Sequence, residues 1–482
     1  MAMKGITTPR SECTGQAMSR WTRCRDVYEG GDAVKAAGTR YLPKLSGQSA
    51  TAYEAYKTRA LFYNGFARTV QGLVGAVFRK DPDVKAPGDI LETWATDVTR
   101  TGVPFTGAAM LTLEEVLKVG RFGAYVDMPE SAPAGAVPYI VPVLAERIVN
   151  WSTAVRDGRR ILTRVIIRET VEEPNPAEPF HADEVEQYRE LRLSPEGRYE
   201  VQVYRRANRE SAEWAPHGPA ITPIRRGEPL KDIPFQFFGP TSLEAAVQKP
   251  PLLDLVDVNL SHYRTSADLE HGRHYCGLPQ PWVAGYRGED KLRIGSSVAW
   301  VFDDPQAKAD YLEFTGQGLG ELKDALKEKQ DQMAILGARM LEGQKPGVEA
   351  AETVKLRSAG DSATLKSIAV VTSLGLSQLL RWVVWWAGVD APDDETTVTL
   401  NTDFFGLKMS SDEVKAAMLL WQAGAKSWDD LFFLLQEGGW ARPGISAEEE
   451  LALINADRGD EVTPPPSTTP PTPPPADAGA GA

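Results

Sequence analysis

A surplus of positive charge is the first thing this chain lacks. It has 53 Lys and Arg against 66 Asp and Glu, a formal net charge of −13 over 482 residues. Proteins that bind free nucleic acid through its phosphates usually show a basic balance. Any contact with nucleic acid here must therefore be local or weak. Cysteine is scarce too. Cys13, Cys24 and Cys276 are an odd, sparse set, which argues against a disulfide framework and for a reducing compartment. Their spacings make no zinc pattern. No GxxxxGKS/T phosphate loop, GxSxG elbow, HExxH pair or dinucleotide fingerprint occurs, and the glycines of GRFG at 120–123 do not make one. No internal repeat is present. The opening MAMKGITTPRSECTG has no apolar run, so a secretory leader is not expected.

Long uncharged hydrophobic runs are also missing, with one near exception. Residues 367–389, SIAVVTSLGLSQLLRWVVWWAGV, have the length of a membrane span but contain Gln378 and Arg381. Ile368, Val371, Gly375, Leu379, Trp382 and Trp386 recur every three or four residues, as in a helix packed inside a soluble domain. No membrane span is expected.

What is present is enough apolar content, 42%, for a sizeable core and two to four domains. Residues 1–20 read as poorly ordered, followed by a helix over 18–28. Ser49 is a plausible N-cap. The apolar spacing of Tyr53, Tyr56, Ala60, Tyr63, Ala67, Val70, Val74 and Val77 predicts one continuous helix whose tyrosines pack in a core or interface. A helix pair follows over 90–119. From 138 to 238 the pattern becomes β, with alternation at Ile161–Ile167 and at Tyr199–Val203, and a turn at SPEG, 194–197. Arg205, Arg206, Arg209, Arg225 and Arg226 form two basic spots that read as a solvated sheet edge. Residues 352–388 read as one long helix and 396–405 as a strand. Ser410 or Ser411 caps the next helix, and helices continue to 457. The tail VTPPPSTTPPTPPPADAGAGA, 462–482, cannot bury a core and is expected to be extended.

The middle of the chain, 249–352, organises this pattern. PPLLDLVDVNLSHYRTSADLEHGRHYC, 250–276, has prolines at its mouth, where they cost a helix least. Leu252, Val256, Leu260, Tyr263 and Ala267 share one face. Asp254, Asp257, Asp268 and Arg273 lie on the other. The rod would be roughly 39 Å long. GLGELKDALKEKQDQMAILGARMLEG, 318–343, repeats the device with denser charge of alternating sign, including Lys323 and Lys327. The loop between this rod and the long helix, GQKPGVEA at 343–350, presents Lys345 at a rod's end.

Catalytic chemistry is thin. His271, His274 and Cys276 match no metal spacing and continue the first rod's stripe, so packing or subunit contact is favoured. The acid runs 393–395 and 448–450 sit in loops or on solvated faces. A metal-dependent nucleic-acid-processing enzyme or a membrane-associated scaffold built on 367–389 remain the alternative classes. No catalytic residue, metal or cofactor is expected.

Three stretches carry a resemblance: YLPKLSGQSATAYEAYKTRALFYNGFARTVQGLVGAVFRKDP (41–82), PLLDLVDVNLSHYRTSADLEHGRHYCGLPQP (251–281) and VTLNTDFFG (398–406). Together they resemble the portal proteins of tailed bacteriophages, in a compact group first catalogued as a phage domain of unknown function. By order of elements the likeness covers 40–457. It implies an α+β portal-type fold in a ring of about twelve subunits at a capsid vertex, assembled in the host cytoplasm and carried in the virion. The implied parts are an N-terminal arm (1–40), a wing (41–249), stem helices at 250–276 and 318–342, and a clip at 277–317 that includes the strand-like segments QPWVAGY and SVAWVF. A tunnel loop (343–350), a long wing helix with a returning strand (351–409), a helical crown (410–457) and the proline-rich tail (458–482) complete it. The implied partners are passing double-stranded DNA, the large terminase subunit, major capsid and scaffold proteins, and head–tail adaptor or tail proteins. The resemblance places Gly343, Gln344, Lys345, Pro346 and Gly347 at the DNA. Asp254, Asp257, Asp268, Lys323 and Lys327 would face the channel or a neighbouring subunit. A ring of that size would carry a charge of about −156 before screening, which favours sliding over gripping.

Overall fold

The computed structural model describes residues 5–88, 90–129, 136–175, 178, 180–206, 213–277, 280–285, 300–302, 304–312, 317–337, 351–389, 392–404, 411–437, 440–442 and 445–458. The fold is mixed α+β and divides into two compact units, Met1–Thr402 and Asp403–Ala482.

The first unit begins with α1 (Gln16–Glu29), α2 (Gly31–Ala36), α3 (Ala50–Arg59) and α4 (Gly65–Val77). The strand β1 (Asp83–Lys85) leads to α5 (Ile90–Trp94) and α6 (Phe105–Val119). A β-rich stretch follows with β2 (Phe122–Asp127), β3 (Tyr139–Leu144), β4 (Ile148–Arg156), β5 (Arg159–Pro174), β6 (Ala182–Leu193) and β7 (Tyr199–Arg206). It ends with β8 (Trp214–Pro216), β9 (Ile224–Arg225), β10 (Glu228–Pro229) and β11 (Phe235–Phe238). Then come α7 (Leu253–Cys276), β12 (Gln280–Ala284), β13 (Lys308–Leu312), α8 (Gln317–Leu336), α9 (Ala351–Trp386) and β14 (Thr397–Thr399). The second unit contains α10 (Ser411–Gln422), α11 (Trp428–Glu437) and α12 (Ala447–Arg458).

All strand pairings among the described residues are antiparallel. A five-stranded sheet runs β4-β5-β6-β7-β8 and a three-stranded one β11-β2-β3. The expected turn at 194–197 joins β6 to β7. Arg205 and Arg206 do not form a sheet edge, because β8 pairs with β7 at those residues. Arg205 donates to Glu173 at 2.5 Å, and Arg206 lies over the Trp214 ring. The N-terminal segment is also better placed than its composition suggests. Ile6 is buried in one cluster with Ile166, Tyr188 and Trp214. Arg10 stacks 4.6 Å from the Trp151 ring centroid and donates to the Trp151 carbonyl.

The long helix α9 is a core element. Its segment Thr364–Trp386 is long and apolar enough to cross a membrane, but 61% of the apolar window is buried inside the protein. It lies against β11, β2 and α6. Two serines one turn apart serve the returning strand. Ser373 Oγ accepts from the Leu400 N–H at 3.0 Å and Ser377 Oγ from the Val398 N–H at 2.8 Å. These side chains stand in for a neighbouring strand, so β14 stays as short as Thr397–Thr399 where a strand over 396–405 is expected.

The helix expected over 49–77 is two helices. Ser49 caps α3 as read, accepting from the Ala52 N–H at 3.1 Å. The chain then breaks at 60–64 and restarts at Asn64, whose side chain caps α4. The break survives because α7 satisfies it. Asn259 accepts from the Phe66 N–H at 3.0 Å and donates to the Tyr63 carbonyl at 2.7 Å. Ser266, two turns on, accepts from the Leu61 N–H at 3.3 Å. Tyr53 and Tyr56 are buried, whereas Tyr63 sits in the break and is 39% exposed.

One buried carboxylate of this unit is held by a shared cation. Arg25 of α1 forks between Glu115 of α6, at 2.8 Å, and Glu146 before β4, at 2.6 Å. Burial raises the Glu115 carboxyl, but Arg25 and Lys118 outweigh it, and the net shift is downward. Gly120 ends α6 at φ +71°, where a Cβ would lie 3.0 Å from the Lys249 carbonyl. That close approach seats the end of α6 on the mouth of α7.

Asn259→Ala leaves the buried Phe66 N–H unpartnered and removes one of the two donors to the Tyr63 carbonyl, and is expected to lower the unfolding free energy by roughly 1–3 kcal/mol. Asp254→Ala on the exposed face of the same helix is expected to change it by less than about 0.5 kcal/mol. Urea denaturation of both variants checks this.

Candidate functional site

The candidate site is the helical hairpin of α7 and α8 with the small β12–β13 ribbon between them. Pro250 and Pro251 precede α7 in a turn, so the helix begins at Leu253 and not at 250. The expected single apolar face of α7 proves too narrow. Leu253, Leu255, Asn259, His262, Thr265, Ser266 and Leu269 are buried in addition to the predicted stripe. Polar residues can be buried here because they have partners, namely the α3–α4 break on one side and α8 on the other.

α8 runs antiparallel along α7. Gly272 lies beside Leu319, where a Cβ would fall 2.5 Å from Leu319 Cδ2. Further along, the Lys329 ammonium donates to the Thr265 hydroxyl and Gln330 meets His262 Nε2 at 3.2 Å. Near its other end Gly337 approaches Leu255, and Met333 reaches Gly65 of α4. Met333 is the one residue of α8 counted as buried among the described residues, while Ile335 is 57% exposed and Leu336 41%. Lys323 and Lys327 also stand exposed on α8. At 20 residues this helix spans roughly 30 Å with most of its circumference in solvent.

The ribbon pairs Trp282 with Asp310 and Gln280 with Leu312. Its second strand is KADYL and not the expected SVAWVF. Residues 300–302 of that stretch form no strand, and 297–299 lie outside the described residues. A two-stranded ribbon wet on both faces needs no apolar stripe, and Trp282 is 42% and Tyr311 54% exposed.

The five charged residues expected to face a channel or a neighbour divide into groups. Asp254 pairs with Lys249 at 2.9 Å and remains exposed. Asp257 is held by Arg23 of α1 at 2.9 Å. Asp268 turns inward and accepts from the Tyr56 hydroxyl at 2.5 Å. Lys323 and Lys327 keep open surroundings. Gly343, Gln344, Lys345, Pro346 and Gly347 lie outside the described residues. The histidines at the end of α7 pack against α3. His271 meets Tyr56 edge-on at 5.1 Å, and Arg59 meets His274 at 3.0 Å. Among the described residues no three or more His, Cys, Asp or Glu gather as a metal site would require.

Sequence reasoning missed Asn259, Ser266, His262 and Lys329. Their only signal is polar character at positions that adjoin the apolar stripe of a long helix. His262 is buried, and its Nδ1 has no partner. Burial first, and the nearby Lys329 second, lower its pKa.

Residues 251–387 match the family model of a domain of unknown function, DUF4055. That stretch runs from the turn before α7 to the end of α9. No curated protein matches the chain. Three solved chains from gene transfer agent (GTA) particles are similar to it at a TM-score of 0.38. One belongs to the virion of the native particle, with 10% identity over 83% of this chain and 98% of that one. Another belongs to the neck of the native particle with C12 symmetry, with 11% identity over 84% and 98%. The third belongs to the neck of the empty particle with C6 symmetry, with 11% identity over 85% and 95%.

A histidine whose folded pKa is depressed favours the folded state fully above its ordinary value of 6.5. That contribution is lost as pH falls below the ordinary value toward the folded one. The α7–α8 contact is therefore expected to loosen as pH falls below 6.5. Amide exchange along α8, corrected for intrinsic rates, should rise in the parent chain and stay flat in His262→Gln.

Proposed function

We propose that this chain is the subunit of a portal-type ring through which double-stranded DNA passes into and out of a phage-like particle. The observation that carries the reading is α8. A helix of this length with one fully buried side chain and exposed Ile335 and Leu336 gains little from its own subunit. Helices in water depend on packing one face. Copies arranged around an axis would supply that packing. α7, with far more of its surface buried than α8, would anchor the hairpin to each subunit. The ribbon β12–β13 sits at the turn of the hairpin, where a motor or adaptor could dock.

The three segments of portal-like sequence support the same reading, two of them spanning α3, α4 and α7. Net negative charge suits a conduit, since many phosphate contacts would hold DNA in place and make passage strongly salt-dependent. In this reading the protein performs no chemistry. The large terminase subunit, capsid and scaffold proteins and head–tail adaptors are its partners. Residues 343–350 would form the loop nearest the DNA.

Electron microscopy of the purified full-length chain tests the proposal. Closed rings of uniform size are expected, with about twelve copies. A population of monomers and dimers across the accessible concentration and salt range would overturn it.

A further inference from the structure

The five-stranded sheet is charged at opposite ends with opposite sign. Along β5 the arginines 159, 160, 164 and 168 come first and the glutamates 169, 172 and 173 follow. β5 has 16 residues, so its ends are separated by roughly 53 Å. At one end, Arg156 lies opposite Arg159 across the β4–β5 turn. The guanidinium of Arg156 reaches over the β6–β7 turn, where a Cβ on Gly197 would meet its Nη1 at 2.6 Å. At the other end the β5–β6 hairpin carries seven carboxylates between 169 and 186 and no Lys or Arg. There Glu172 faces Glu184 and Glu173 faces Asp183. Like charges placed directly opposite each other destabilise an isolated sheet. Arg205 and Arg206 offset Glu173 and Glu186. Near the tip of this acidic arm stands Phe180, whose side chain is fully in water, with a relative exposure of 106%.

We infer that the arm docks onto the basic end of the same sheet in a second copy of this chain, with Phe180 as its apolar anchor. The charges of the two ends are complementary. The sheet itself holds them too far apart for the arm to fold back on its own subunit. Such a head-to-tail contact uses two different patches and propagates around a ring. The inference rests on the ring reading above and adds the contact that orients neighbouring subunits.

The test uses the full chain. Glu172→Arg with Glu184→Arg reverses the one facing carboxylate pair that is exposed on both strands, and Arg159→Glu with Arg160→Glu reverses the basic turn. All four residues are exposed, and unchanged circular dichroism melting confirms folding. Each pair alone is expected to raise the half-assembly concentration in sedimentation velocity by about tenfold or more. An equal mixture of the two variants should recover assembly relative to either alone, because the substituted Arg pair then meets the substituted Glu turn and the native arm meets the native turn. A photo-crosslinking residue at 180 should capture 156–164 of another copy. Variants that assemble like the parent, a mixture that fails to recover, or capture elsewhere would overturn the arm contact and leave the ring reading standing. A parent chain that stays monomeric would overturn both.

Discussion

The side chain of Asn259 closes the break between two helices that are almost two hundred residues earlier in the chain. Its carbonyl oxygen and its amide each take one backbone partner from the interruption after α3. Without it the Phe66 N–H would be left unpaired in the interior, which a folded chain rarely tolerates. Ser266 extends the same service to Leu61. α7 joins the N-terminal helices to the hairpin along this face and, on its other side, holds α1 through Asp257 and Arg23. Position and orientation of the hairpin follow from it.

The contrast between α7 and α8 is the functional content of the fold. One helix is packed on most sides, and the other is packed along a single seam. Their contact includes Gly272 and a polar middle where Thr265 meets Lys329 and His262 meets Gln330. A polar seam of this kind specifies register more than it adds stability. The exposed remainder of α8 is surface that a neighbouring copy would cover. The polarised sheet is a second incomplete surface, and its two ends complement each other only between subunits. In the proposed ring, neighbouring copies would cover both surfaces.

Much of the architecture was legible from residue order. The Ser49 cap, the α6 and α9 helices, the turn at 194–197 and the two rods all follow local rules of capping, periodicity and turn chemistry. The split at 60–64 was not legible, because Ala60, Tyr63 and Ala67 keep helical spacing through it. Only a distant asparagine makes the interruption stable. The ribbon's second strand was misplaced because KADYL lacks the apolar stripe that marks a strand on a core. Of the candidate site, the hairpin was readable and its individual charges were not. Asp268 looks like Asp254 and Asp257 in the sequence, yet it turns toward Tyr56 while they stay at the surface.

By itself the sequence determined the order and type of elements, the acidic balance, and the polarity of β5 from arginine to glutamate, because each depends on residues close together along the chain. Tertiary structure alone decided that α7 is buried and α8 exposed, that the serines of α9 complete a strand, and that like charges face each other at the end of the sheet. Those outcomes depend on which distant backbone groups and side chains meet, and helical or strand periodicity carries no record of that.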